Sequence, residues 1–150
     1  MKLKIIPLLQ VIIYACMGSL IQTTLTYPAT TFTIPVIVIA TISITGTGIV
    51  LLGGLVFRLT NTSISPLNPH KANQLITRGI YHYSRNPMYV GFLLILFAWC
   101  LYLGNLITML IPVLFVWSMT YLQIIPEEKA LETLFGNEYK QYCQTVRRWV

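Results

Sequence analysis

Two short polar segments, residues 77–89 and 126–142, hold most of the side chains in this chain that are capable of chemistry. The first contains the run Arg-Asn-Pro-Met-Tyr at 85–89, and the second begins with Pro-Glu-Glu at 126–128. An arginine can bind a carboxylate through two parallel hydrogen bonds. Acids in the first turn of a helix also stabilise the helix dipole. Each segment therefore has a structural explanation as well as a chemical one.

The remaining sequence is apolar, and its few charges are clustered. Of the 150 residues, 55% are hydrophobic and 9% are charged, against about 25% charged in an average globular protein. No charge occurs between Lys4 and Arg58 or between Arg85 and Glu127, and each gap accommodates two spans of about 20 residues. We therefore predict an all-α, polytopic membrane bundle, a single domain over residues 1–150, with about four transmembrane segments. These segments lie at about residues 3–25, 34–57, 88–103 and 106–125.

The basic residues lie before the first apolar segment, in the loop at 58–87 and in the tail after residue 125, whereas the connection at 27–33 carries no charge. By the positive-inside rule both termini and the loop are cytosolic, and the turns at 27–33 and 104–105 face the opposite side. This topology accounts for the net charge of +6. We therefore expect an integral, multi-pass membrane protein that binds no nucleic acid and whose chemistry faces the cytosol.

Only Gly104 and Asn105 separate the third and fourth segments, so these should form a tight helical hairpin. The hairpin would bring residues 77–89 and 126–142 together, and we expect the two polar segments to form one site. Pro126 is expected to begin a helix that stops at Gly136. A second helix, capped by Asn137, would complete a cytosolic amphipathic tail that lies along the membrane surface.

Other classes of site find less support. No ionisable residue is predicted in the membrane core, where ion- and proton-coupled transporters usually need one. The three cysteines are odd in number and far apart, which indicates neither a disulfide framework nor a metal site. Gly46 and Gly48 lie in a glycine-rich part of the second segment. Their two explanations, close helix packing and approach of a cofactor, both stay open.

Residues 77–91, TRGIYHYSRNPMYVG, resemble the signature of the isoprenylcysteine carboxyl methyltransferase and phospholipid methyltransferase superfamily. The runs PEEKAL at 126–131, LFG at 134–136 and EYKQY at 138–142 resemble its C-terminal motif, and Gly46-Thr47-Gly48 is similar to an upstream Gly-x-Gly element. The resemblance covers about residues 45–150. It implies a membrane enzyme that takes S-adenosylmethionine from the cytosol and methylates a lipid-borne or small hydrophobic acceptor.

The resemblance also implies roles for individual residues. Glu127 and Glu128 would hold the ribose hydroxyls or the amino group of the cofactor, and Arg85 would pair with its carboxylate. Tyr81 and Tyr89 would pack on the adenine or face the sulfonium. Arg85 and Tyr89 are also the candidate catalytic residues. Without the resemblance, positive-inside anchoring and interfacial tyrosines explain the same residues.

Three more residues complete the predicted cofactor site. Pro87 would form a rigid turn that exposes backbone groups to the cofactor, although prolines also begin ordinary helices. His82 is a candidate general base. The position after the motif arginine is often histidine in the family, but here it is Asn86, which cannot titrate. A carboxylate acceptor needs no base, whereas an ammonium must first lose a proton, so this departure favours oxygen or sulfur acceptors.

Three alternatives to this interpretation remain. One is a phospholipid (ethanolamine) N-methyltransferase. Another is a sterol-reductase-like enzyme, whose C-terminal region has a related layout and binds a nicotinamide cofactor, although such chains are usually much longer. The last is a non-enzymatic membrane protein such as a small transporter subunit, which would leave both motifs unexplained.

Overall fold

The computed structural model describes residues 7–25, 30–59 and 75–150, and this part of the chain is helical with no strand. The five α-helices are α1 Pro7–Thr24, α2 Val36–Leu59, α3 Pro87–Leu103, α4 Leu110–Met119 and α5 Ile125–Thr145. Gly79–His82 and Leu106–Met109 form 3₁₀ turns, and Thr120–Ile124 forms a π turn. The prediction of an all-α protein is confirmed.

Three helical stretches, Pro7–Thr24, Val36–Val56 and Leu106–Thr145, are long and apolar enough to cross a membrane. Helix α3 is apolar but has only 17 residues, or about 25 Å against a hydrocarbon thickness of about 30 Å. Large aliphatic side chains stand exposed on the helices, with Val36 at 75% and Val113 at 64%. Lipid contact explains such an apolar surface. The chain is therefore a multi-pass membrane protein. Residues 3–6 of the first predicted segment lie outside the described residues.

Helix α3 is the centre of the bundle and packs against α1, α2 and α4. Its crossing with α2 depends on two facing glycines: a Cβ on Gly46 would lie 2.8 Å from the Gly91 carbonyl oxygen, and a Cβ on Gly91 would lie 2.6 Å from that of Gly46. Close packing therefore accounts for Gly46. On its other side α3 contributes Tyr89, Leu96 and Cys100 to a core shared with α4 and the π turn.

The α1–α2 connection and the α3–α4 turn meet at one end of the bundle. The Phe32 amide donates to the Gly104 carbonyl over 2.9 Å, and the Asn105 side chain donates to the Leu25 carbonyl over 3.3 Å. Gly104 has a left-handed φ of 65° and leaves no room for a side chain beside the Phe32 carbonyl. The two turns that the charge pattern placed on one side of the membrane thus lie together.

Helix α5 begins at Ile125 with Pro126 in its first turn, as predicted, but no loop separates it from α4. The chain runs from Leu106 to Thr145 as one helical stretch, in which the π turn joins α4 to α5. Proline lacks an N–H and its ring clashes with the carbonyl four residues earlier, here that of Leu122. The π turn widens the helix at that point. At Gly136 the helix is interrupted (φ 51°, ψ −118°), as the sequence predicted.

Candidate functional site

A polar cluster lies where the first turn of α3 meets the first turn of α5. The Tyr89 hydroxyl lies 3.1 Å from both Oε1 and Oε2 of Glu127. The Gln123 side-chain amide, from the π turn, donates to Oε1 of the same carboxylate. Tyr89 and Gln123 are both buried. Glu127 is thus held from α3 and from the π turn.

Glu128 lies between two guanidinium groups. Arg148 donates from Nε to Oε1 over 3.0 Å and from Nη2 to Oε2 over 2.7 Å. Nη1 of Arg85 lies 3.2 Å from Oε1 of the same carboxylate and also donates to the Cys143 sulfur. The Arg85 and Glu128 side chains are only 13% and 15% exposed, whereas that of Arg148 is 38% exposed. Nε of Arg85 is buried and has no hydrogen-bond partner among the described residues.

Residues 147–150, here called the strap, follow α5 and cross back to the start of α3. The Arg85 amide donates to the Arg147 carbonyl, and the Asn86 side chain donates to the Arg148 carbonyl, each over 3.0 Å. Trp149 donates from Nε1 to the Thr120 hydroxyl over 3.1 Å and packs against the core. The strap therefore joins the Arg-Asn-Pro-Met-Tyr run to the π turn.

Tyr81, in the 3₁₀ turn before α3, packs next to this cluster. Its carbonyl accepts a hydrogen bond of 2.5 Å from the Tyr142 hydroxyl of α5. Burial, together with the neighbouring Tyr142 and Glu127, raises the pKa of Tyr81 well above its ordinary value. The Tyr81 phenol is therefore protonated and neutral at physiological pH.

Local sequence explains how the run at 85–89 is held. Pro87 occupies the first turn of α3, where its missing N–H costs nothing. Asn86 stands at the N-cap position, but its side chain makes no capping bond to α3 and instead holds the strap. The Ser84 hydroxyl accepts from the Asn86 amide over 3.1 Å. The loop is thus fixed by its own contacts and by α5.

The structure brings together seven of the residues that the sequence predicted for a cofactor site: Tyr81, Arg85, Asn86, Pro87, Tyr89, Glu127 and Glu128. His82 is exposed and makes an edge contact with Tyr83, with no contact to the cluster among the described residues. Gly46 packs on α3, and the space where a Gly48 side chain would stand is open. Cofactor binding by any of these residues stays a prediction.

The sequence interpretation missed four members of the cluster: Gln123, Cys143, Arg148 and Trp149. Gln123 carries a signal, because it lies four residues before Glu127, and side chains at that spacing meet on one helix face. From the sequence, Arg148 is only one of the basic tail residues that indicate the topology. Its pairing with Glu128 depends on the chain turning back after α5, and nothing local in the sequence marks that turn.

The partly buried cluster thus contains two carboxylates, one held by Tyr89 and Gln123 and the other between two guanidiniums. Such a set can bind a zwitterion, because carboxylates accept from an ammonium or hydroxyl group and guanidiniums donate to a carboxylate. The aromatic rings of Tyr81 and Tyr89 lie against the same cluster. The arrangement is suited to an amino-acid-containing ligand.

Comparison with known proteins agrees with the two motifs. A relative in Haemophilus influenzae, an uncharacterized protein, is 48% identical over 63 residues, which is 42% of this chain and all of that protein. The protein-S-isoprenylcysteine O-methyltransferase of Schizosaccharomyces pombe is 38% identical over 77 residues, which is 51% of this chain. Protein-S-isoprenylcysteine O-methyltransferase B of Arabidopsis thaliana is 31% identical over 85 residues, which is 57% of this chain.

The chain spans only 33% of the yeast enzyme and 43% of the plant enzyme. No solved structure matches the chain significantly. The model of the phospholipid methyltransferase family matches residues 34–138, seven tenths of the chain and the greater part of the polar cluster. These matches confirm the prediction of a membrane methyltransferase at the level of the family. The chain belongs to the phospholipid methyltransferase family.

Proposed function

We propose that this protein uses S-adenosylmethionine to methylate a lipid-borne or small hydrophobic acceptor, and that the polar cluster binds the methyl donor. One observation carries the proposal. Both acids of the Glu-Glu pair are held by the Arg-Asn-Pro-Met-Tyr run, Glu127 through Tyr89 and Glu128 through Arg85. The two family motifs therefore meet in one place.

The residues present fit this donor. S-adenosylmethionine carries an ammonium, a carboxylate, two ribose hydroxyls and a sulfonium, and the cluster offers carboxylates, guanidiniums and aromatic rings for these groups. The donor supplies an electrophilic methyl group: the methyl carbon–sulfur bond breaks as the bond to the acceptor forms, and sulfur leaves as a neutral thioether. Such a displacement depends mainly on positioning and on exclusion of water.

The chain's own residues supply that positioning. Tyr89 and Gln123 fix the Glu127 carboxylate, and the two arginines fix that of Glu128. Side chains held by such contacts need no reorganisation when a ligand binds. Tyr81 and Tyr89 are buried and present rings that stabilise a nearby cation. We infer that the carboxylates bind the ammonium or ribose and that Tyr89 lies nearest the reacting methyl group.

For the acceptor we propose an oxygen or sulfur nucleophile attached to a hydrophobic group. The two named relatives are protein-S-isoprenylcysteine O-methyltransferases. A carboxylate acceptor is already ionised, whereas an ammonium must first lose a proton. Both carboxylates of the cluster are assigned to the methyl donor, and the amide of Asn86 cannot act as a base. The apolar portion of the acceptor would enter between the helices from the bilayer.

The membrane topology belongs to the same proposal. We propose four crossings, the last two of which form a hairpin through Gly104 and Asn105, in one domain that spans residues 1–150. The positive-inside rule puts the cluster on the cytosolic side, where the donor is available. The part of α5 after Gly136 would then lie along the cytosolic surface of the membrane.

Calorimetry with the purified protein in detergent tests the donor assignment. S-adenosylmethionine and S-adenosylhomocysteine should bind, and NADPH should not. The double variant Glu127→Ala with Glu128→Ala should lose binding. Glu132→Ala, which removes an exposed carboxylate paired only with Lys140 over 3.5 Å, is the matched control and should bind like the wild type.

Two results would contradict the assignment: NADPH binding without binding of either adenosyl compound, or unchanged adenosyl binding in the double variant. The acceptor is tested separately with labelled S-adenosylmethionine. An isoprenylated cysteine with a free carboxylate should accept the label, and phosphatidylethanolamine should not. Labelling of the phospholipid alone would favour N-methylation instead.

A further inference from the structure

We propose that Arg148, in the strap, binds the carboxylate of the methyl donor and so selects donors that retain their amino-acid portion. The inference rests on the proposed function, since it assigns one residue to one group of that donor. It replaces Arg85, to which the sequence interpretation gave the carboxylate. Three observations support the exchange: the unused donors of Arg148, the enclosure of Arg85, and the way the strap is fixed.

Arg148 has hydrogen-bond donors to spare. A guanidinium carries five N–H bonds, and Glu128 takes one from Nε and one from Nη2. The Nη1 group has no partner within the described part of the chain, and the side chain is 38% exposed. Glu128 therefore holds Arg148 in place while the open side of the guanidinium stays available to an anion that arrives from solvent.

Arg85 is enclosed by comparison. Its side chain is 13% exposed, and its Nη1 donates to both Glu128 and the Cys143 sulfur. Its Nε has no exposed surface. Besides this buried group, only Nη2 is left with unassigned donors in the described part of the chain, on a side chain that is far less exposed than the 38% of Arg148. The geometry makes Arg85 the buried counter-charge of Glu128.

The strap fixes Arg148 independently of any ligand. The Arg147 carbonyl accepts from the Arg85 amide, and the Arg148 carbonyl accepts from the Asn86 side chain. Trp149 donates to the Thr120 hydroxyl. Because the backbone of Arg148 and one edge of its guanidinium are already held, the side chain loses little conformational entropy when it binds a carboxylate, and binding is stronger for that reason. Arg148 is therefore preorganised to bind the carboxylate of the donor.

The test compares two ligands by calorimetry on the full chain in detergent: S-adenosylhomocysteine and its decarboxylated analogue, which lacks only the carboxylate. The wild type should bind S-adenosylhomocysteine more tightly by about 10- to 100-fold, as expected for charge-assisted hydrogen bonds. In Arg148→Gln that preference should fall to near unity, because affinity is lost for S-adenosylhomocysteine alone. Arg148→Lys should restore part of it, since a lysine keeps the charge without the bidentate geometry.

Lys140→Gln is the matched control, because it removes one positive charge from an exposed pair with Glu132 and should leave the preference unchanged. Equal weakening of both ligands in Arg148→Gln would overturn the inference and make Arg148 a structural residue. If Arg148→Gln keeps the preference for S-adenosylhomocysteine and Arg85→Gln loses it, the carboxylate is bound by Arg85 and not by Arg148. If the wild type binds neither adenosyl compound, the proposed donor itself fails, and the Arg148 assignment fails with it.

Discussion

Replacement of Glu128 by Gln should destabilise the protein far more than the same change at Glu132. Glu128 and Arg85 are both nearly buried, and the variant removes the carboxylate charge that is paired with the Arg85 guanidinium, leaving a neutral amide in its place. Removing one member of a buried ion pair costs about 3–5 kcal/mol. Arg148 is 38% exposed, so solvent screens its interaction with Glu128. We therefore expect a cost at the lower end of that range.

The control, Glu132→Gln, makes the same substitution in an ion pair that is exposed at the surface. Glu132 pairs with Lys140 over 3.5 Å, and the side chains are 51% and 61% exposed, so Glu132→Gln should cost about 0–1 kcal/mol. Thermal unfolding in detergent provides the measurement. A cost of about 3 kcal/mol should lower Tm by at least about 6 °C, whereas Glu132→Gln should stay within about 3 °C of the wild type. Equal shifts in the two variants would refute the buried ion-pair cluster.

Three further changes test other parts of the structure. Gly91→Ala should destabilise the bundle by about 1–3 kcal/mol, because its Cβ would clash with the Gly46 carbonyl. Gly48→Ala, whose Cβ would lie in open space, is the control. Equal Tm values for the two variants would contradict the close crossing of α2 and α3. Trp149→Phe removes the hydrogen bond to Thr120 and should weaken the attachment of the strap by about 1 kcal/mol. Limited proteolysis should then cut more readily after residue 146, and an unchanged cutting rate would contradict the attachment of the strap to the π turn. Burial raises the pKa of Tyr81 above its ordinary 10, so the folded state keeps that proton longer and loses stability as pH rises above 10. Tyr81→Phe should make that loss smaller in unfolding curves, and identical pH dependence would argue against the buried phenol.

Much of the fold is predictable because it follows from composition. The long gaps between charges indicate the apolar segments, and the two-residue turn at Gly104 and Asn105 predicts that α3 and α4 are neighbours. The side chain of Asn105 is buried and binds across to Leu25, so this turn also joins the α1–α2 connection. Polar segments at the opposite ends of the same helices must then approach each other, as Tyr89 and Glu127 do.

The contacts that depend on tertiary geometry are not predictable in this way. Local rules predict that α5 starts near Pro126, but they do not predict that a π turn joins it to α4 without a loop. The strap is another example, because the partners of Arg148 lie 20 residues away at Glu128 and 62 residues away at Asn86. The Gly46 contact also depends on which face of α2 meets Gly91, and the apolar sequence of α2 does not specify that face.

The most direct test of the central claim is methyl transfer in membranes. Cells that express the wild type, the double variant Glu127→Gln with Glu128→Gln, or the Glu132→Gln control are grown with methyl-labelled methionine, and their lipid-soluble fraction is searched for labelled products. We expect a labelled product in the wild type and in Glu132→Gln that is absent from the double variant. The same product at the same level in the double variant, with all three proteins equally abundant in the membrane, would contradict the assignment of the Glu-Glu pair to the methyl-donor site.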